Sequence, residues 1–240
     1  MQPITVIYPY YCQPNMFAKQ IAHLRSLDRS IKDRLEVIFV DDGSPINPLI
    51  PEWIHNLSMR YFRTDKDVEW NWPFCRNLGA SKAKHDWILF SDLDHVCPER
   101  TLAMLMTGEY NPSEIYYFQR IWANSPTIPR NPHWNSHFMH RSLREKIGGN
   151  DERLCGYYAM NEGDFLFRSR EQAKWIQLMQ ELVVTTHDLI SDARCHLFRD
   201  KESGKQHYEE VMKWRAENPG WRPLNLTFPC HELHPDGNQV

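Results

Sequence analysis

Two periodicities alternate along the first hundred residues. Short apolar runs at residues 4–8, 35–40 and 87–91, with a mixed run at 59–63, have the length and the β-branched and aromatic content of strands. Between them the apolar positions move to helical spacing. Phe17, Ile21, Leu24 and Leu27 share one face of a helix that Asn15 is placed to cap, and a second helix is expected from Pro73, a residue suited to a first turn, to Lys84. Strands alternating with helices make βαβ units. The pattern therefore predicts an α/β fold with a mainly parallel central sheet flanked by helices.

The second half is less regular. A strand near 115–118, a proline-rich loop through Pro126, Pro129 and Pro132, and helices near 142–147 and 164–181 are expected. A strand at 182–186 and an amphipathic helix around 207–217 follow, ahead of a proline-rich tail. No repeat, low-complexity tract or obvious linker divides the chain, so residues 1–240 read as one domain.

In open parallel sheets ligands gather beyond the carboxyl ends of the strands. Two acidic clusters fall there. Asp41-Asp42-Gly43-Ser44 has the composition of a tight turn, yet its carboxylates are also suited to accept hydrogen bonds from the base or ribose of a nucleotide. Asp92-Leu93-Asp94 follows the fourth strand. In extended backbone, residues two apart point to one side, so both carboxylates can share a divalent cation; a solvated turn or a helix cap is the plain alternative.

The order of these motifs resembles family 2 glycosyltransferases of the GT-A (Rossmann-like nucleotide-binding) fold. Beside the two acidic clusters, Phe74-Cys75-Arg76-Asn77-Leu78-Gly79-Ala80 looks like the family's A-R-N-x-G helix, and the strand ending in Pro9-Tyr10-Tyr11 is similar to its entry strand. The resemblance covers the first hundred residues well and the rest weakly. It implies a nucleotide-sugar-binding half at 1–98 and an acceptor-binding and catalytic-base half at 99–240. It further implies metal-dependent, inverting transfer from a nucleotide sugar, most often a UDP-sugar, to an acceptor hydroxyl. Pro9, Tyr11, Asp41, Asp42, Arg76, Asn77 and Asp92 would bind the donor. Asp92 and Asp94 would hold Mn2+ or Mg2+, with His196 in Cys195-His196-Leu197-Phe198-Arg199 as a further ligand and His187 competing for that place. Asn161-Glu162-Gly163-Asp164 looks like the segment carrying the family's base. Glu162 takes that position, with Asp164 as the other carboxylate in contention; both would also suit the first turn of a helix.

Composition bears mainly on the acceptor. Against 28 Lys and Arg stand 31 Asp and Glu, a formal charge of -3 that argues against a globally basic nucleic-acid coat. Residues 115–149 depart from this balance, carrying Arg120, Arg130, Arg141, Arg144 and Lys146 against Glu145 alone, interleaved with Tyr116, Tyr117, Phe118, Trp122, Trp134 and Phe138. Such interleaving suits stacking on sugar rings or on bases along a phosphate backbone, and it also fills cores. The acceptor is expected to be a saccharide or glycolipid; hydroxymethylated bases in DNA are the alternative, and a non-catalytic glycan- or nucleic-acid-binding module is the reading of another class. His85, His95, His133, His137, His140 and His207 read as loop or surface residues. The six scattered cysteines read as reduced thiols, no apolar run approaches the ~20 residues of a membrane span, and residues 1–17 lack the basic start of a secretory signal. A cytoplasmic protein is the expectation.

Overall fold

The computed structural model describes residues 1–184, 189–192 and 199–234; at 126–130, 180 and 184 it describes the backbone alone. The first half follows the predicted alternation: β1 (Ile4–Tyr10), α1 (Pro14–Ser26), the single turn α2 (Arg29–Lys32), β2 (Leu35–Asp41), β3 (Ser58–Thr64), α3 (Trp72–Lys82) and β4 (Trp87–Phe90). These strands lie side by side in the order β3, β2, β1, β4, all parallel, with Ile4 opposite both Leu35 and Trp87. Every residue of β2 is buried. A central parallel strand is covered on both faces, which is why β1 and β2 are nearly continuously apolar, whereas β3, nearer the edge, alternates.

One face of this sheet, Val6, Tyr8, Val37 and Phe39, packs under Phe17, Ile21 and Leu24 of α1. The opposite face, Ile7, Ile38 and Val40, packs against Phe74 and Leu78 of α3. Helix α3 lies so close to β1 that a Cβ on Gly79 would come within 2.5 Å of Ile7 Cγ2, so only glycine fits there.

Beyond β4 the sheet continues through antiparallel neighbours. β5 (His95–Val96) and α4 (Glu99–Thr107) lead into β6 (Glu114–Trp122), which turns tightly into β7 (Ser125–Arg130). β8 (His137–His140) joins β4 to β6 by antiparallel pairing on both sides. After α5 (Arg141–Ile147), a 3-10 turn (Glu152–Leu154) and α6 (Asn161–Arg170), β9 (Lys174–Val184) runs parallel to β6. Helix α7 (Lys201–Glu217) precedes β10 (Cys230–Leu233), which pairs antiparallel with β3 and covers that edge of the sheet.

Four expectations are corrected. Asn15 does not cap α1, which starts at Pro14; the Asn15 and Met16 N–H groups instead donate to the Asp192 carboxylate at 2.7 and 3.1 Å. The helix expected over 164–181 ends at Arg170. Its second part is β9, where pairing with β6 overrides the helical spacing and places Ile176 and Leu178 on the core; residues 182–184 of the strand expected at 182–186 are the end of this one, and 185–186 lie outside the described residues. The proline-rich loop contains an edge strand, β7, where the missing N–H of Pro126 and Pro129 is tolerated. Among the described residues no helix is long and apolar enough to cross a membrane.

Candidate active site

The loops after β1, β2 and β4 gather at one end of the parallel strands, where the two acidic clusters lie. Their four aspartates are not equivalent. Asp41 is fully buried and its carboxylate is taken up by the turn: Oδ1 accepts from the Ser44 N–H at 2.9 Å and Ser44 Oγ at 2.7 Å, and Oδ2 from the Leu49 N–H at 2.9 Å. Gly43 has φ +72°, and a Cβ on it would collide with the Lys66 carbonyl. The D-D-G-S turn is thus a packed crossing built by Asp41.

Asp42 faces the other way. Oδ2 accepts the Asn71 N–H at 3.1 Å while Oδ1 has no partner, and burial pushes its pKa well above the ordinary carboxylate value, with the Asn71 hydrogen bonds opposing. Tyr11 reaches across the same mouth to Asp67 at 3.3 Å, and Pro9 pairs with Val40 one residue before β1 ends.

Helix α3 begins at Trp72 beside this mouth. Arg76, 1% exposed, stacks its guanidinium on the Trp72 ring at 4.8 Å and donates from Nη2 to Asp92 Oδ1 at 2.8 Å. Burial lowers its pKa, opposed by Asp92 and Glu162. Asn77, one residue on, points into the protein. Its amide nitrogen meets Asn150 O, Glu152 Oε1 and Asn225 Oδ1 at 2.7–2.9 Å, and its oxygen accepts from Arg144 Nη2 and the Asn150 N–H. Two neighbours expected on the donor therefore divide, Arg76 toward the acidic cluster and Asn77 into the packing between α3, α5 and the C-terminal segment.

Asp92-Leu93-Asp94 forms a turn rather than extended backbone, closed by the His95 N–H on Asp92 O at 3.0 Å. Leu93 is buried and the two carboxylates still converge, joined by His95: one ligand atom from each of Asp92, Asp94 and His95 lies within 4.8 Å of the others. Burial tends to raise the Asp92 pKa, but the Arg76 guanidinium, His133 and His95 hold it below the ordinary value. Burial pushes His95 down to about 3, so its ring is neutral. His95 Nδ1 meets Ser136 Oγ, and Nε2 lies 3.9 Å from Asp94 Oδ1. Two carboxylates and a neutral imidazole held from behind by a hydroxyl are a fitting donor set for a divalent cation such as Mn2+.

His95 and His137, expected near the surface, are both 2% exposed. Nothing local in the sequence marks this, because the groups that bury His95 come from Ser136 and His133, some forty residues away. His133 Nδ1 lies 3.3 Å from Asp92 Oδ2 and its Nε2 lies 4.0 Å from Glu162 Oε2. Glu162, in the first turn of α6, is partly exposed and accepts a 2.8 Å hydrogen bond from Asn135. His196 and His187 lie outside the described residues.

Asp164, two residues along α6, is buried on the far side from His133 in an ion-pair network. Arg168 Nε donates to it at 2.9 Å and Arg215 bridges it to Asp151. The basic segment resolves in the same manner. Arg144, 4% exposed, lies over Phe90 at 4.4 Å with its pKa pushed down by burial to about 9, and Arg141 donates to the carbonyls of Ala83 and His85. Two of the segment's five cations, Arg141 and Arg144, are thus engaged with the protein itself, while Lys146 is exposed.

The family model described as glycosyl transferase family 2 matches residues 5–166. An uncharacterized glycosyltransferase of Haemophilus influenzae is 32% identical over 111 residues, 46% of this chain and 36% of that protein, so the match spans little more than a third of that relative's length. The structure of S. aureus TarS 1-349 in complex with UDP-GlcNAc superposes with a TM-score of 0.60 at 13% identity, over 92% of this chain and 68% of that one. The mannosyltransferase PcManGT from Pyrobaculum calidifontis, in complex with GDP-Man and Mn2+, gives 0.56 at 13% identity over 93% and 66%. At these identities the structural likeness speaks for the fold. The family match covers both acidic clusters, the Arg76 helix and Glu162: the chain belongs to glycosyl transferase family 2 and has the GT-A fold.

Proposed function

We propose that the protein is a metal-dependent, inverting glycosyltransferase that moves a sugar from a nucleotide sugar, a UDP-sugar in the first instance, to an acceptor hydroxyl of a saccharide or glycolipid. The observation that carries this reading is the convergence of Asp92, Asp94 and His95 beside Arg76, with Glu162 across His133. Asp42, just past the carboxyl end of β2 and hydrogen-bonded to the Asn71 N–H, would bind the nucleoside, and Arg76 the diphosphate.

A divalent cation held by Asp92, Asp94 and His95 would neutralise charge on the departing nucleoside diphosphate. The chain's own residues do the rest. Glu162 takes the proton from the acceptor hydroxyl as its oxygen bonds to the anomeric carbon. The bond from that carbon to the diphosphate oxygen breaks on the opposite face, and the electron pair leaves with the nucleoside diphosphate. Inversion follows from this single displacement. Glu162 suits the role better than Asp164, whose carboxylate is already shared by two guanidinium groups.

The engagement of Arg141 and Arg144 with the protein's own carbonyls and amides favours a glycan over a polyanionic acceptor. The test is nucleoside diphosphate release from a panel of UDP- and GDP-sugars with and without Mn2+, followed by mass spectrometry of glycan, glycolipid and hydroxymethylated DNA acceptors. Release that depends on Mn2+ and is lost in Glu162→Gln supports the reading; metal-independent release, or full transfer by Glu162→Gln, overturns it.

A further inference from the structure

The turn Pro132-His133-Trp134-Asn135-Ser136 joins β7 to β8 and runs between the acidic cluster and α6. It is a closed turn, with the Ser136 N–H donating to His133 O at 3.0 Å. Its side chains divide between two surroundings. Trp134 sits among Tyr117 (5.2 Å) and Trp175 (5.5 Å), with Arg170 over its ring at 5.3 Å. The His137 imidazole fastens the same residue from behind, Nδ1–H donating to Trp134 O at 2.8 Å. On either side of this wedge, His133 and Asn135 meet the reacting groups.

Asn135 is 7% exposed and its Nδ2 donates to Glu162 Oε1 at 2.8 Å. A short side chain on an anchored turn thereby holds the carboxylate read as the base, while His133 of the same turn lies 3.3 Å from Asp92 Oδ2 in the acidic cluster. Glu162 has three side-chain torsions and is partly exposed; its other neighbour on this turn, His133, stands 4.0 Å from Oε2, so among the described residues the Asn135 amide makes its closest polar contact.

We propose that Asn135 is a positioning residue: it holds Glu162 Oε1 so that Oε2 remains directed at the acceptor hydroxyl, at a fixed distance from the acidic cluster. Trp134 supplies the rigidity, by fixing the turn against β6 and β9. The inference rests on Glu162 being the base. A base displaced by about 1 Å loses much of its effect, so removing the tether is expected to lower kcat by about 10- to 100-fold.

The experiment is a double-mutant cycle read by nucleoside diphosphate release from UDP-GlcNAc, UDP-glucose and GDP-mannose with Mn2+ and water as acceptor, together with crystal structures of the wild-type protein and Asn135→Ala. Asn135→Ala is expected to lower kcat with the donor KM unchanged, and Asn135→Ser, which keeps a donor hydroxyl, to recover part of it. Glu162→Gln with Asn135→Ala should be no slower than Glu162→Gln alone, because Asn135 acts through Glu162. In the Asn135→Ala crystal the Glu162 carboxylate should leave its position. Wild-type kcat in Asn135→Ala, strictly additive losses, or an unmoved Glu162 overturns the proposal while leaving the base assignment standing. Full activity in Glu162→Gln removes the base assignment itself. If Asn135→Ala unfolds, Asn135→Ser carries the same comparison.

Discussion

Asn77 lies beside the proposed phosphate-binding arginine, and the family resemblance assigns it to the donor, but the structure gives it five hydrogen-bond contacts with four residues inside the protein. Substituting Asn77→Ala leaves the Asn150 N–H, 3.0 Å from the lost oxygen, without an acceptor in a buried position, and takes one of two acceptors from Arg144 Nη2. Arg144 is already short of a partner at Nη1. Glu152 keeps its donors from Leu226 and Thr227. An orphaned buried group costs about 1–3 kcal/mol. With the Asn150 carbonyl, which loses the Asn77 amide N–H at 2.9 Å, two orphaned groups and one weakened buried cation together come to about 4 kcal/mol. For a chain of this size that is a fall in Tm of about 8–16 °C. Thermal unfolding followed by circular dichroism measures the fall, and calorimetric titration with UDP and Mn2+, well below the lowered Tm, measures the donor site. The expectation is reduced stability with unchanged UDP affinity. An unchanged Tm with UDP binding weakened tenfold would refute the reasoning and return Asn77 to the donor.

Three further outcomes follow from the same geometry. Asp94→Ala should abolish Mn2+-dependent nucleoside diphosphate release while leaving the unfolding curve of the metal-free protein in place; unaltered turnover removes Asp94 from the metal site. Asp164→Asn should destabilise rather than inactivate, because it strips the charge shared by Arg168 and Arg215, and breaking a buried pair costs about 3–5 kcal/mol; loss of transfer with an intact fold would instead make Asp164 the base. Burial drives the His137 pKa well below its ordinary 6.5, so below that pH the unfolded chain binds a proton that the folded chain refuses. Stability should therefore fall as the solution is acidified below about pH 6.5 and be flat above it for this group. Chemical denaturation of His137→Phe should show a pH slope smaller by up to about 1.4 kcal/mol per pH unit in that window, and an unchanged slope would contradict the assignment.

The central strands were legible because their environment is simple. A parallel strand covered on both faces is apolar almost throughout, and β1, β2 and β4 announce themselves by that, the buried Thr5 and Glu36 being paired with each other at 2.8 Å. β9 was not legible, since its apolar residues are spaced as a helix would space them and only the nine-residue ladder with β6 decides the matter. The site divides along the same line. Asp92, Asp94 and Arg76 stand at strand and helix ends and are readable from order, whereas His95 becomes a candidate ligand only through Ser136 and His133, which the chain brings back from a later turn. Asp41 and Asp42 are adjacent and chemically identical. What separates them is that Ser44 and Leu49 consume one carboxylate, which composition does not record.

The charge of the second half shows the same limit with a functional consequence. Counted along the sequence, residues 115–149 form a basic stretch facing an acidic remainder. In the folded chain Arg144 is buried between aromatic rings and amides and Arg141 is spent on carbonyls, so neither adds to a surface potential in proportion to its formal charge. The carboxylates follow a different course: Asp92, Asp94 and Glu162 stay partly exposed, with Arg76 already paired to Asp92. A nucleoside diphosphate bound beside them would add negative charge to negative charge, with one guanidinium whose attraction is largely committed. On the proposed reading the divalent cation is therefore needed for the donor to bind as well as for it to leave, and Asp92, held ionised by Arg76, is the residue at which the two requirements meet.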